Sequence, residues 1–532
     1  MTLFPGWIVL SVAVALAKLG ADERKGEISM HRVHHFLALG CSMIIASSAG
    51  ADVLQHHNNP TRDGRYVDPL FTRDAVMNIH RDFTFEAFLP GPTYAQPLYV
   101  SNGPGGTAAL IAATEQNEVL ALDASSGTTL WEANLGAPVP RSSLPCGNVD
   151  PVGITSTPVI DIDSRTLYVA AMTTPDGGAT KQHLIYALLL DDGTTVPGWP
   201  VDVSASVSFG GLTFTSTPQS QRGALLLSGQ ILYVSYGGHF GDCGVYHGWV
   251  VGVPQADPSS PMAWATDARG GGIWAPSGLA TDGTFIYAAT GNTFGTATWR
   301  GGEAIIRFSP GPVFSGDTTD FFAPSNWLSL DLGDIDISGT GPVLIDVPGA
   351  TPSALIVALG KNGVAYLVDR GDFGGIGTGD GTHGEGVASE RVATGTIINA
   401  AAAYTTASGT YVVFTTIGQG VGCPGLIGNL VALQIGASEP PTISVAWCAN
   451  NQGRGSPIVT TPDGTADPVV WTVGSESSNR LHAFDGETGD LLFSGGGPGE
   501  QMTLVRRFQT PIAVDGRIFV AADNQLYAFT TQ

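Results

Sequence analysis

The stretch GGHFGDCGVYHGW, residues 237–249, places His239, Asp242, Cys243 and His247 within nine positions, among glycines that allow a tight loop. Imidazole nitrogens and a carboxylate are ligands for a transition metal, and a carboxylate such as Asp242 can also serve as a general base. The spacing follows no zinc template, so the alternative is a loop whose histidines make ordinary hydrogen bonds. A Cys243 engaged in a disulfide is no thiolate ligand. A second group lies in QHHNNPTRDG, residues 55–64. His57 joins His239 and His247 as a metal ligand if this segment crosses an end of the molecule. Otherwise the segment is a cap, tethered by side-chain to backbone bonds. His80 and Arg81 further on read as part of a surface turn.

A third group is RGGGIWAPSG, residues 269–278. Three successive glycines leave backbone groups accessible to an anion or a sugar-like ligand. Trp274 can stack on such a ligand while Arg269 or Glu303 orients it. The same glycines also suit a close approach of backbones, with Trp274 as a wedge between layers. Asp334 and Asp336, close to Asp331, offer oxygens of the kind Ca²⁺ takes, without an EF-hand pattern. No GxSxG elbow, HExxH, P-loop or dinucleotide fingerprint is present. A pair of glycosidase carboxylates is a three-dimensional relation that sequence does not show.

Elements that could hold these groups show as repeats. ALDASSGTTLW, residues 121–131, and AFDGETGDLLF, residues 483–493, share one plan: a strand ending in Asp, a turn with Gly, and a strand with an aromatic. Asp123 and Asp485 can accept backbone N–H bonds in the turn, and Gly127 and Gly489 can take positive φ. Strand-rich units start at AQPLYV (95), STPVIDID (156), FTSTPQ (214), IWAPSGLATDG (273), TGPVLID (340), GTIINAAAAY (395), GSPIVTTPDG (455) and QTPIAVDG (509). Each is followed by two or three further short apolar runs. The pattern predicts an all-β protein, an eight-bladed β-propeller of four-stranded antiparallel blades, with seven blades if the degenerate sixth start is not one. The last unit lacks its outer strand. DFTFEAFL, residues 82–89, is expected to supply it and so close the ring. The best short helix candidate is residues 72–78.

The turns and aromatics of these repeats resemble the PQQ-like β-propeller repeats of the quinoprotein alcohol dehydrogenase-like superfamily. QHHNNPTRDGRYVDP, GITSTPVIDI, YHGWVVG, GGGIWAPSG and WCANNQGRGSPIVTT are similar to a group of secreted bacterial proteins with PQQ-binding-like propellers. The resemblance covers nearly all of the chain after residue 52 and implies the fold. For an enzyme of this kind it implies PQQ with Ca²⁺, a pair of adjacent cysteines beside the cofactor, and an Asp base. This sequence has no adjacent cysteines and no CxxCH haem c motif. The expected function is therefore a propeller scaffold that binds a small molecule or a protein at its face. The alternative is a PQQ- or metal-dependent oxidoreductase of an alcohol or sugar. Either ligand is expected at one mouth of the central channel, near Trp274 and residues 237–249.

With 23 basic against 46 acidic residues, the net charge is −23. There is no basic footprint for nucleic acid and none for an anionic membrane. Residues 1–51 read as an upstream extension and a signal peptide beginning at Met30, with small residues before Ala51. If it stayed uncleaved, this segment would be the chain's membrane contact. Residues 52–94 form a crossing segment and closing strand, and 95–532 the propeller. Export to the periplasm or the outside permits disulfides among Cys146, Cys243, Cys423 and Cys448. Four cysteines allow three pairings. Cys423–Cys448 within one blade, with Cys146–Cys243, is the expected one.

Overall fold

A computed structural model describes residues 52–531. The expected signal peptide and its cleavage point lie outside the described residues. Eight antiparallel sheets form a propeller. From first to last strand, blade 1 runs from Leu98–Val100 to Thr129–Asn134, blade 2 from Val159–Asp161 to Val201–Asp202, and blade 3 from Leu226–Ser228 to Met262–Ala265. Blade 4 runs from Ala280–Thr281 to Phe321–Ala323, blade 5 from Val343–Asp346 to Ala388–Arg391, and blade 6 from Ala402–Thr406 to Thr442–Ala449. Blade 7 runs from Ile458–Thr461 to Leu491–Phe493, and blade 8 begins at Ile512–Val514.

Blade 8 takes its outer strand from the other end of the chain. Ala87–Phe88 pairs antiparallel with Leu526 and Gln525, as residues 82–89 were expected to do. His80–Arg81 pairs with Thr530 and Phe529. The pairing replaces the surface turn expected there, because the chain enters the sheet edge two residues before the apolar run begins. Closure covers the edge that the C-terminal strand would otherwise present. The short helix falls where expected, at Arg73–Val76, with the Thr72 hydroxyl capping the Ala75 N–H.

The two repeated hairpins carry out the chemistry of their turns. Asp123 accepts the N–H groups of Ser125 and Ser126, and Asp485 those of Glu487 and Thr488. Gly127 and Gly489 sit at φ 81° and 78°. Trp131 and Phe493 are buried between blades. Core side chains fill the spaces between neighbouring sheets, as where Leu98 and Ile111 of blade 1 meet Leu167 and Leu188 of blade 2. Burial of this kind is the main favourable term in folding.

Residues 52–68 form an axle down the centre. They bond in turn to the first strand, or its flank, in every blade. Val53 pairs with Tyr99 of blade 1, and the Leu54 carbonyl accepts Ile160 N–H of blade 2. The Arg62 guanidinium donates to Leu225 O of blade 3 and Leu279 O of blade 4, at 2.9 and 2.8 Å. The carbonyls of Thr61, Asp63 and Gly64 accept from Leu344, Ala403 and Val459 of blades 5, 6 and 7. The Asp68 carboxylate accepts Gly516 N–H of blade 8. Arg65–Val67 adds a parallel strand inside blade 7. Backbone groups of the inner strand edges thereby find partners in the axle rather than in a water-filled channel.

Two disulfides tie loops to this frame. Cys423–Cys448 clamps a loop of blade 6 to its own outer strand, and Cys146–Cys243 links the connection between blades 1 and 2 to a loop of blade 3. This is the expected pairing.

Candidate functional site

Because strand direction alternates within a blade, the blade-to-blade connections and the loops between second and third strands emerge on one face, here called the upper face. There the axle closes the channel from below. His56 is buried under it, its Nε2 3.3 Å from the Thr510 hydroxyl, stacked on His57 at a centroid distance of 4.5 Å. His56, Tyr94, Thr155, Thr157, Arg222, Pro276 and Phe508 enclose a small cavity with room for about one water molecule.

Arg222, on the connection from blade 2 to blade 3, roofs this cavity. Its guanidinium carbon lies 6.0 Å from the Trp274 ring centroid and 5.5 Å from that of Phe508. Among the described residues it has no hydrogen-bond or ion-pair partner. Burial lowers its pKa, while the Tyr94 and Glu115 groups act the other way. Arg506 and Arg507 nearby are each paired, with Asp523 and Glu476. Arg222 is thus a half-buried cation without a counter-charge in contact among the described residues, in a chain of strongly negative net charge.

Trp274 lies on the connection into blade 4. Its Nε1–H donates to Asp336 Oδ2 at 3.1 Å, and Lys361 Nζ lies 5.5 Å from its ring centroid. Lys361 reaches in from blade 5 and pairs with Asp334 at 2.6 Å and Asp336 at 2.7 Å. Burial alone would lower the Lys361 pKa, but the two carboxylates override it and raise it. Asp336 also accepts Asn292 N–H at 2.7 Å. The pair offered above as Ca²⁺ ligands therefore already holds an ammonium group. Among the described residues, no cluster of three or more His, Cys, Asp or Glu side chains could hold a metal ion.

Asp242 stands in the same neighbourhood, at φ 53° in the blade 3 loop. It accepts the Tyr246 hydroxyl at 2.6 Å. Burial, then the charges of Asp334 and Asp336, raise its pKa against the pull of Tyr246 and Lys361. Arg269 is engaged in shaping that loop. It donates to the carbonyls of Gly244 and Asp242 at 2.8 and 2.9 Å and lies over the Phe294 ring. Glu303 is fully buried and accepts Ile337 N–H at 2.9 Å, joining blade 4 to the connection into blade 5. Burial, reinforced by the charge of Asp336, raises its pKa well above the usual carboxylate range.

The three histidines offered as metal ligands have separate surroundings. His57 lies in the axle, its Nδ1 3.2 Å from Arg62 O. His247 Nδ1 is 2.8 Å from Thr266 O. His239 is buried beside His183, and burial brings both it and His57 to a pKa of about 4. The structure brings Asp242 and Trp274 into one charged neighbourhood through Asp336 and Lys361. The axle residue under the mouth is His56, not His57. Arg222, Lys361, Glu115 and His56 carried no motif in the sequence. Arg222 lies on a connection between blades, Glu115 and Lys361 on loops between second and third strands, and His56 in the axle.

No family model matches the sequence, and no curated protein matches it. Solved structures do share its fold. The quinohemoprotein alcohol dehydrogenase of Comamonas testosteroni aligns over 90% of this chain and 80% of its own, with 15% identity and a TM-score of 0.59. The quinohemoprotein alcohol dehydrogenase ADHIIG of Pseudomonas putida HK5 aligns over 90% and 80%, with 13% identity and a TM-score of 0.59. A europium-containing methanol dehydrogenase covers 91% of this chain and 98% of its own, again at 13% identity and 0.59. The chain shares the β-propeller fold of these dehydrogenases, and at such identity the likeness speaks for the fold alone.

Proposed function

We propose that this protein is an exported binding scaffold that takes a small anionic ligand at its upper mouth, beside Arg222 and over Trp274. The observation that carries this reading is the Arg222 guanidinium, half-buried and without an acceptor among the described residues. A cation held in that state costs stability unless something repays it, and a bound oxyanion would accept two of its N–H groups in a fork. Trp274 offers the apolar platform such a site needs. The two disulfides support export to the periplasm or the exterior, where thiols are oxidised. Titration calorimetry with sulfate and with simple carboxylates tests the reading. Saturable binding in the wild type, lost in Arg222→Ala, is the expected result, and no saturable binding at millimolar concentrations would overturn it.

A second reading has one observation in its favour. A flat indole ring with two cations within 6.0 Å suits a planar aromatic anion such as PQQ. Trp274, Arg222 and Lys361 would hold it, and Asp242, whose carboxylate no cation pairs among the described residues, would be the group that accepts a proton. The donor set for an accompanying Ca²⁺ does not fit, because Lys361 occupies Asp334 and Asp336. The absorption spectrum of protein from its native host separates a stoichiometric quinone from a colourless anion.

A further inference from the structure

Glu115 sits on the turn between the second and third strands of blade 1 and is completely buried. Its Oε2 accepts Gly153 N–H at 2.7 Å, while its Oε1 has no partner among the described residues. Gly153 belongs to the connection into blade 2, whose Thr155 stands beside the Glu115 carboxyl and also lines the cavity roofed by Arg222. A buried carboxyl, a cavity of about one water and an unpaired guanidinium are therefore contiguous. We propose that Glu115 and an anion bound at the upper mouth compete for the charge of Arg222, so that taking up the anion draws a proton onto Glu115. The proposal rests on the anion-binding reading above and adds a regulation of that site.

The groups facing Glu115 support this assignment. Arg222 and Arg506 are the cations that favour its charged form. Arg506 is held by Asp523, its Nε and Nη2 at 2.8 and 2.6 Å. Arg507 is held by Glu476, which also faces Arg454. The Arg506 guanidinium carbon lies 5.8 Å from the Tyr94 ring centroid, and burial, then the charge of Glu115, raises the Tyr94 pKa. In His56, from the axle, burial and then the electrostatic effect of His57 and Arg62 lower the pKa. Arg222 is thus the cation of this group whose charge no carboxylate already holds in an ion pair.

In the free protein, burial raises the Glu115 pKa to about 7, against the Gly153 N–H, the Thr155 hydroxyl, Arg222 and Arg506. An anion on Arg222 removes one of those supports and adds a like charge nearby. Both effects raise the pKa further. Near neutral pH the carboxyl then fills with a proton as the anion binds, and by linkage the affinity falls as pH rises. The ceiling is one proton per anion, and roughly tenfold in affinity per pH unit above the free-state pKa.

Sulfate is the probe, because it does not titrate in this range. Calorimetry at pH 7.5 in imidazole and in Tris, buffers with different ionisation enthalpies, gives the protons exchanged. The wild type is expected to take up a fraction of a proton, approaching one, and Glu115→Gln none. The glutamine keeps an acceptor for Gly153 N–H. Sulfate binding without proton uptake, or uptake that persists in Glu115→Gln, would overturn the coupling while leaving the anion site standing. No sulfate binding at all would overturn both. Should Glu115→Gln not fold, the wild-type affinity between pH 6 and 8.5 decides alone: a loss of about fivefold or more supports the coupling, and a flat series overturns it.

Discussion

The Arg222 guanidinium stands 6.0 Å from the ring centroid of Trp274, so an anion bound to that guanidinium would also meet the indole face. A cation at this distance from an indole contributes about 0.5–2 kcal/mol, and a charge-assisted hydrogen bond to an anion about 1.5–3 kcal/mol. Arg222→Ala is therefore expected to weaken sulfate binding by tenfold or more. Arg222→Lys, which keeps the charge but loses the fork, should retain part of it. Trp274 fluorescence during titration, with circular dichroism to confirm the fold, checks both.

Arg62 is the hub of the axle. It is wholly buried and donates to Leu225 O, Leu279 O and His56 O, without a carboxylate partner among the described residues. Burial lowers its pKa to about 9. Arg62→Ala leaves three buried carbonyls without these donors, at about 1–3 kcal/mol each in the worst case. Urea unfolding is expected to show a loss of several kcal/mol or failure to fold. An unchanged midpoint would mean that the axle does not hold the ring together.

Stability should depend on pH in two opposed ways. Burial lowers His57, His183, His239 and His482 to about 4 from an ordinary value near 6.5. The unfolded chain then binds more protons between these values, so stability is lost as pH falls from about 6.5 toward 4. Glu115 is raised to about 7, so its contribution is present below about 4.5 and lost as pH rises through 7. Melting temperatures from pH 4 to 8.5 should fall on the acid side. The melting temperature of Glu115→Gln relative to wild type should rise between pH 5 and 8.

Much of this arrangement was legible in the sequence, and the reason is local. The Asp and Gly turns of ALDASSGTTLW and AFDGETGDLLF need no distant partner to declare themselves, and a missing eighth outer strand follows from counting. The axle was not legible. QHHNNPTRDG is polar and rich in turn formers, which marks surface loops, yet here its carbonyls and Arg62 serve as the partners of inner strand edges from every blade. A buried polar segment of this kind shows only when the donors it satisfies are known. The upper mouth was legible in half its parts. Trp274 and Asp242 announced themselves by residue type within Gly-rich runs. Arg222, Glu115 and Lys361 come from three different blades, and nothing in their flanking residues distinguishes them from solvated charges.

Each disulfide closes a loop whose length sets its effect on the unfolded chain. Cys423–Cys448 spans 25 residues and Cys146–Cys243 spans 97. The chain-entropy account gives roughly 3 kcal/mol for the shorter loop and roughly 4–5 kcal/mol for the longer. Replacing both cysteines of a pair by serine should therefore lower the urea midpoint more for Cys146 and Cys243. Four alkylatable thiols in unreduced protein from its native compartment would remove the export argument altogether.

Lys361 decides whether the upper mouth is built for a metal. Its ammonium lies between Asp334 and Asp336, and Asp336 in turn accepts the Trp274 indole N–H. Lys361→Met keeps the length of the stem and removes the charge. The two carboxylates then repel each other, and Asp242 feels the same field. Loss of one partner of a largely buried ion pair costs about 3–5 kcal/mol, so the variant should melt earlier. Oxygen ligands freed in this way are of the kind Ca²⁺ takes, and millimolar calcium should restore part of the loss in Lys361→Met while leaving the wild type unmoved. Calcium that raises the wild-type melting temperature would show that the chain binds the ion elsewhere or displaces its own lysine to do so, and would turn the balance toward the quinone reading. A variant that calcium does not help would show that Asp334 and Asp336 are set for an ammonium group and not for a metal.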